Sequence, residues 1–525
     1  MSEPQTSAVG TWAGIERRWL TLIAVCGATF MLLVDITIVQ VALPTIERRL
    51  GASFSDLQWV IDAYALAMAT LILVWGSSAD RFGRKRVFVC GLGIFTLASL
   101  LCGVATSAPM LIWSRALQGV GGSALFATGL ALIGQEFHGY ERGKAIAAWG
   151  ATVGGAVAVG PLIGGALTSG FGWRSIFFVN VPVGVLTGWL AVTRMVNVSD
   201  SGTIRLDLAG LATFSSSMFL LVFGLIRANA DGWTSPTIVS LFAAAAVLMA
   251  LFVFAELHQD HPLLDLSLFR KPSFTGVSIG TFAIGAGMFA LFPYLTFYLQ
   301  NDLGYSPMQG GLRLLPSTVL CFIVPLAIRS VAEKLSPRLL LAAGLGITAA
   351  GVAAMTVVTA RSNWTALIPG LVLTGLGIGI ANPMIAKIAL GVVAPARSGM
   401  ASGINNTFRI GGLATGVAAL GAVFQQKVTT SLAANLGHPA PQLAKVVASA
   451  GIRAAVAASS STPGIAVAAH GAFLSGFRLI LVIGVAVVGI GAIAGAALVR
   501  DRDFAHRTSP APAPEPAVAV RPSST

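Results

Sequence analysis

The sequence predicts an all-α membrane protein with two parallel six-helix halves and two additional helices between them, fourteen crossings in all. Three observations predict it. First, 55% of the 525 residues are AVILMFWYC, 60 are Gly and only 10% are charged. An ordinary soluble domain is roughly 25% charged, so a water-facing globule of this size would lack the polar residues to cover itself. Second, nearly charge-free runs of about the 20 residues needed to cross the hydrocarbon core recur along the chain. Third, stretches in the first half have degraded echoes in the second, at an offset of about 255 residues.

The spans in order are 19–42, 57–76, 87–106, 109–133, 144–168, 175–195, 207–227, 236–256, 273–299, 307–328, 338–358, 364–389, 399–424 and 471–499. The first follows Arg17 and Arg18 but runs past Asp35 to Ala42 without a small-residue cleavage pattern, so it reads as a membrane helix and not a signal peptide. An even count puts both termini on one side. With that side cytoplasmic, 20 of the 33 Lys and Arg fall in cytoplasmic segments, 8 in external ones, and 5 (Arg115, Arg313, Lys387, Arg409, Arg478) within helices. This excess inside sets the orientation, with both termini in the cytoplasm and the chain in the plasma (inner) membrane.

The expected organisation follows from the spans. A cytoplasmic tail occupies 1–18, a six-helix half 19–195, two inserted helices with linkers 196–272, a second half 273–500 with an external loop at 425–470, and a disordered tail 501–525. Residues 443–458 are a candidate surface helix in that loop. The repeat itself rests on three echoes. Ala79-Asp80-Arg81-Phe82-Gly83-Arg84-Lys85 returns as Ala332-Glu333-Lys334-Leu335-Ser336-Pro337-Arg338, Arg115-Ala116-Leu117-Gln118-Gly119-Val120-Gly121 as Leu371-Val372-Leu373-Thr374-Gly375-Leu376-Gly377, and Arg142 as Arg397. Parallel halves of this kind hold substrate between them and rock to open each side in turn.

Ionisable groups inside a bilayer cost about 2.5–3.5 kcal/mol on insertion scales, so each needs a reason. Asp35, Asp62 and Arg115 lie at a common depth of roughly 10 Å below the external surface, counted at 1.5 Å per helical residue. Two acids and a base at one level can form a switchable ion network for proton coupling. A carboxylate there loads a proton from outside and releases it inside as its surroundings change. Trp59, Tyr64, Gln118, Phe289, Tyr294, Arg313 and Arg409 are candidate cavity residues. In the fifth span, Gly155, Gly160, Pro161, Gly164 and Gly165 let two helices approach closely and bend the backbone, which suits a hinge or gate contact.

The stretch Gly76-Ser77-Ser78-Ala79-Asp80-Arg81-Phe82-Gly83-Arg84-Lys85-Arg86 joins the second and third helices on the inside. Gly76 and Gly83 permit a tight turn, Asp80 can face a helix N-terminus, and Arg81, Arg84 and Lys85 can bridge to neighbouring helices. This segment resembles the signature loop of the major facilitator superfamily. Leu33-Val34-Asp35-Ile36-Thr37-Ile38-Val39-Gln40-Val41-Ala42-Leu43-Pro44 resembles the first-helix signature of its 14-helix drug:proton antiporters, with Gln40 where that pattern has Asn. Arg115-Ala116-Leu117-Gln118-Gly119 resembles the fourth-helix motif, whose Arg the family implicates in proton coupling. Gly155 with Gly160-Pro161-Leu162-Ile163-Gly164-Gly165 resembles the antiporter motif of exporters, and Trp173-Arg174-Ser175-Ile176-Phe177-Phe178-Val179-Asn180-Val181-Pro182 the usual start of helix 6.

Other chemistries fit poorly. No Gly-x-x-x-x-Gly-Lys-Ser/Thr loop is present to cradle ATP, and no cofactor is implied. Gly375-Leu376-Gly377-Ile378-Gly379 lies inside a membrane helix and follows no strand, so it reads as packing. His258-Gln259-Asp260-His261 with Asp265 lacks the Glu of His-Glu-x-x-His, so no metal is expected. The basic residues are scattered without interleaved aromatics, so nucleic acid is not an expected partner, and Cys26, Cys90, Cys102 and Cys321 lack metal-ligand spacing. The resemblance implies a proton-coupled exporter of amphipathic or cationic small molecules such as drugs, working as a monomer in the lipid bilayer and not as an enzyme. The alternatives are a dedicated exporter of one endogenous metabolite and an uptake permease.

Overall fold

A computed structural model describes residues 11–12, 15–137, 139–197, 207–259, 266–328, 334–393, 398–448, 464–500 and 503. The long helices are α1 (Arg17–Leu50), α2 (Phe54–Phe82), α3 (Arg84–Gly103), α4 (Ala108–Glu136), α5 (Gly139–Phe171), α6 (Ser175–Arg194), α7 (Leu208–Asp231) and α8 (Pro236–His258). They continue as α9 (Pro272–Asp302), α10 (Pro307–Ala327), α11 (Pro337–Met355), α12 (Trp364–Gly391), α13 (Ser398–Leu436) and α14 (Ile465–Leu498). A helix thus occupies each expected span, and among the described residues eleven helices are long and apolar enough to cross a membrane. Short breaks remain inside two of them. α6 loosens at Val179, and α9 passes through a 3-10 turn at Phe289–Leu291 and a π turn at Tyr298–Asp302.

Two expectations change at the edges. Residues 15–16 pair with 11–12 as a minimal antiparallel ladder and α1 starts at Arg17, inside the expected tail. The reason is ionic: Arg18 Nε contacts Glu16 at 2.5 Å and its Nη1 pairs with Glu141 of α5, while Arg17 reaches Glu136 at 3.7 Å. The expected loop 425–470 is shorter than its composition suggests, because Ala-rich and Thr-bearing sequence carries α13 on to Leu436 and α14 begins at Ile465. Residues 441–448 are helical, whereas 449–458 of the candidate surface helix lie outside the described residues, as do 1–10, 501–502 and 504–525 of the tails.

α2 and α3 pack on α4, α1 on α5, and α6 on α1 and α3, closing the first six helices into one bundle. In the second, α10 and α11 pack on α12, and α9, α11 and α13 on α14. The bundles meet along α2–α13 and α5–α10, two contacts that the repeat exchanges. α7 lies over the first of these seams and touches both α2 and α13, while α8 packs on α7 and exposes Val239, Val247, Leu251, Phe254 and Leu257.

The repeat extends to details of packing and capping. Ser53 caps α2 in a reciprocal box with Asp56, and Ser306 caps α10 in the same way with Gln309. These boxes satisfy backbone donors that the first helical turn leaves open. Lys85 Nζ donates to Val192 O in the last turn of α6 at 2.8 Å, and Arg338 Nε, its counterpart, to Ala496 O in the last turn of α14 at 2.6 Å. A Cβ on Gly119 would lie 3.1 Å from Tyr64 Cα and 2.8 Å from Ala67 Cβ, and one on Gly375 would lie 2.9 Å from Ser317 Cα and from Leu320 Cβ. Without a hydrophobic drive between helices in lipid, such close approaches supply much of the association. Gly119→Val therefore should destabilise the protein by about 1–3 kcal/mol through overpacking. Thermal unfolding in detergent will show a lowered Tm, whereas Gly93→Val, where a Cβ meets open space, will leave it unchanged.

Candidate functional site: a buried ion network beside an outer seal

The structure brings Asp35 and Arg115 together in the core of the first bundle. Arg115 Nη1 donates to Asp35 Oδ2 at 2.5 Å, and the side chains are 2% and 0% exposed, respectively. Gln118 Nε2 and Asn180 Nδ2 each donate to Asp35 Oδ1 at 2.9 Å. Arg115 Nη1 also reaches Gln118 Oε1 at 2.7 Å, and its Nε donates to Val60 O at 3.1 Å. The guanidinium carbon lies 4.1 Å above the Tyr64 ring. Ser99 Oγ accepts from Gln118 at 3.2 Å and from Asn180 at 2.9 Å and donates to Phe177 O. Residues of α1, α2, α3, α4 and α6 thus converge on one carboxylate.

Helix geometry explains the convergence. Arg115 and Gln118 are three residues apart on α4, so both face the same neighbours. Gly119 next to them lets α2 approach until Val60 and Tyr64 reach the guanidinium. An ion pair removed from water is kept only when its remaining hydrogen-bonding capacity is also met, and Gln118, Asn180 and Ser99 meet it here. Asn180 and Ser99 escaped the sequence reading, and Gln118 stands in this network instead of on a cavity wall.

Asp62 is not a member of the network. Its carboxylate is fully buried, and neither oxygen has a hydrogen-bond partner among the described residues. It stands one turn inside Gln58 on α2, the residue that shares the Val417 carbonyl with Tyr294 of α9. Above it the two bundles close. Gln58 Nε2 donates to Val417 O of α13 at 3.3 Å, Tyr294 OH donates to the same carbonyl at 3.2 Å, and Gln300 Nε2 donates to Val41 O of α1 at 2.8 Å. Phe54 packs between Tyr294, Phe297 and Phe424 with ring centroids 5.9–6.4 Å away. Met308 N donates to Ser169 Oγ at 3.1 Å. Tyr294 is therefore part of this seal.

The fifth-helix glycines lie in both environments. A Cβ on Gly160 would lie 2.9 Å from Thr37 Cβ and one on Gly164 3.1 Å from Ile38 Cα, just past Asp35 on α1. A Cβ on Gly165 would stand 2.7 Å from Pro307 O and 2.8 Å from Met308 Cα of α10, and Gly311 packs on Pro161. Gly155 faces Phe322. α5 thus touches the ion-bearing helix with one face and the opposite bundle with the other.

The remaining candidates scatter. Trp59 packs on Phe223 of α7 at 5.8 Å, toward the inserted helices. Arg313 lies 3.5 Å from the Tyr305 ring centroid and 5.2 Å from that of Trp364, and donates to Gln309 O on its own helix. That stacking keeps Arg313 within the first turns of α10 in the second bundle. Phe289 is half-buried against Phe292, and Arg409 is partly buried with Nε unpartnered among the described residues. In the loop between α2 and α3, Gly83 has φ 98°, a conformation that suits Gly, and a Cβ there would meet Asn197. Arg84 Nη1 donates to Ala131 O at 3.1 Å, while Arg81 lies over Phe82. Gly76 makes no turn: α2 runs through it to Phe82, so Gly83 alone turns the chain, and the Asp80 side chain lies outside the described residues. Of the candidate metal ligands, Asp260, His261 and Asp265 lie outside them too, and His258 stacks on Phe254.

Known proteins show the same plan. Residues 25–417 match the Major Facilitator Superfamily. The multidrug resistance protein Stp of Mycobacterium tuberculosis is 34% identical over 80% of this chain and 79% of its own. The tetracenomycin C resistance and export protein of Streptomyces glaucescens is 32% identical over 93% of each chain. The puromycin resistance protein pur8 of Streptomyces alboniger is 36% identical over 81% of this chain and 85% of its own. Among solved structures, an inward-facing bacterial homolog of the human lysosomal transporter Spinster superposes with a TM-score of 0.64, at 17% identity, over 96% of this chain and all of that one. Match, relatives and fold agree: this multi-pass membrane protein belongs to the major facilitator superfamily.

Proposed function

We propose that the protein is a proton-coupled exporter of amphipathic or cationic small molecules across the plasma membrane, functional as a monomer with both termini in the cytoplasm. The observation that carries this reading is the Asp35–Arg115 pair, buried among five helices of the first bundle with its hydrogen bonds met. A static core would not need a charge pair there, since apolar residues of the same volume serve stability as well or better. The pair gives the bundle two states. With Asp35 ionised, Arg115, Gln118 and Asn180 hold α1, α4 and α6 together; with a proton on Asp35, Arg115 is released and those helices can shift. Asp62, buried under the outer seal without a partner, needs either a proton or a cation, which suits it to couple the two fluxes or to recognise a cationic cargo.

Residues 19–195 and 273–500 act as the rocking halves, with α7 and α8 inserted between them. The fifth-helix glycines and the outer seal are the contact that opens when cargo leaves. The Gly83 turn, with the helix ends that flank it from Gly76 to Lys85, ties α2 and α3 to α6 as the first half moves. A second reading, a dedicated exporter of one endogenous metabolite, is favoured by relatives whose names specify single antibiotics, among them tetracenomycin C and puromycin. Everted membrane vesicles test both readings. An imposed proton gradient, acid inside the vesicle, should drive accumulation of lipophilic cations and antibiotics from a panel. Accumulation of one compound alone selects the dedicated exporter, and accumulation only with the reversed gradient rejects export.

A further inference from the structure

The outer end of α9 carries a buried titratable pair that the scheme above does not use. Asp302, with its side chain 0% exposed, lies with Oδ1 3.2 Å from Nδ1 of His470, whose side chain is 22% exposed. Apart from His470, neither Asp302 oxygen has a hydrogen-bond partner among the described residues. Asp302 closes the π turn Tyr298–Asp302, in which Leu303 N donates to Tyr298 O and Tyr305 N to Leu299 O. That turn also bears Gln300, whose amide reaches α1 across the seam. His470 stands in the second turn of α14, which Asn435 of α13 holds through Ala468 O at 3.2 Å, and Tyr298 stacks on Phe477 of α14 at 5.1 Å. The turn that seals the two halves is therefore held to α14 by an aromatic stack and by one carboxylate–imidazole pair, and only the second changes with pH.

Among the described residues, the elements around it carry other titratable groups. On the α9–α10 side stand the phenols Tyr298, in the turn itself, and Tyr305, just after it. Arg478 of α14 is engaged with Val358 O at 2.8 Å, and Arg361 beyond α11, Lys427 of α13 and Lys445 of the 441–448 helix are exposed. Imidazole is the side chain whose charge changes between about pH 5 and 8. Charged, His470 holds the ionised Asp302 by attraction and keeps the turn in place. Neutral, it offers Asp302 at most one uncharged N–H and leaves the buried carboxylate without a counter-charge, a costly arrangement that outward movement of the turn into water relieves.

We propose that Asp302 and His470 form a second proton-binding site, reached from outside through His470, whose occupancy locks the outer end of α9 against α1. External acid then closes the outer seal, the direction a proton-driven exporter needs on its return stroke. The pair acts on the seal whatever the cargo.

The test needs no cargo. Val41, whose carbonyl receives Gln300 and which is itself buried under the seal, is replaced by Cys in a variant lacking the four native cysteines. Its modification by an impermeant maleimide from outside is normalised to that of Arg48→Cys, which is exposed. From about pH 8 to about pH 5.5 the normalised rate should fall by at least about fivefold, the lower end of ordinary coupling between sites. His470→Gln should abolish that dependence and leave the site open at both pH values, Asp302→Asn should abolish it too, and His470→Arg should keep the site closed at both. Size-exclusion profiles report folding, and the arginine variant keeps the test decisive should Asp302→Asn fail to fold. An unchanged pH dependence in His470→Gln, or no dependence in the parent, overturns the proposal. Lost transport with intact seal closure would count against the export reading and leave the pair untouched.

Discussion

Asp35→Asn will abolish proton-driven efflux and will also destabilise the protein. The substitution leaves the Arg115 guanidinium buried without its counter-charge, on neutral acceptors such as Gln118 Oε1 and Val60 O and on the Tyr64 and Phe177 rings. Removing one member of a buried pair costs about 3–5 kcal/mol, because the survivor is left uncompensated. Arg115→Leu will do comparable damage from the other side, stranding a carboxylate on the neutral donors Gln118 and Asn180. The double variant Asp35→Asn/Arg115→Leu strands no charge, so it should regain much of the lost stability while still failing to couple transport to the proton gradient. Unfolding of all three variants, measured alongside transport, separates the two contributions. Recovery of stability without recovery of transport marks a pair retained for coupling, whereas recovery of both marks a structural brace.

Gly165→Val will hold the outer seal open. A Cβ at this position would lie 2.7 Å from Pro307 O and 2.8 Å from Met308 Cα. Both contacts are backbone, so the clash is relieved only by separating α5 from α10. Overpacking of this kind costs about 1–3 kcal/mol, and here it falls on a contact between halves, so it penalises the sealed conformation more than the fold of either bundle. Each 1.4 kcal/mol is about tenfold in an equilibrium. Efflux should therefore drop about tenfold or more while the amount of protein in the membrane stays near normal, and a cysteine at Val41 should become open to external reagents. Gly170→Val, where a Cβ meets open space, is the matched control.

The crossings and the repeat were legible because hydropathy, charge and spacing run along one dimension. What spacing along the chain does not convey is the direction in which each residue leaves its helix relative to its neighbours. Tyr64 faces Arg115, and Asp62, two residues away, is about 200° around α2 at 3.6 residues per turn, so it turns toward Tyr294. The same limit hid Asn180 and Ser99, which are ordinary polar residues until the rotations of α3 and α6 aim them at Asp35. His470 was missed for a different reason. Apolar sequence begins helix 14 at 471, so the imidazole reads as loop, whereas the helix starts at Ile465. Arg313 looked like a cavity residue because a buried Arg invites a functional reading, but the aromatic faces of Tyr305 and Trp364 account for it.

The central claim is that the charge on Asp35, held by Arg115, converts a proton gradient into cargo movement. The most direct measurement is gradient-driven transport in proteoliposomes by Asp35→Asn/Arg115→Leu, at matched insertion and orientation, for a cargo that the wild type accumulates. The account predicts that the variant equilibrates cargo down its own gradient and never concentrates it when a pH gradient is imposed. Accumulation at the wild-type level would contradict it.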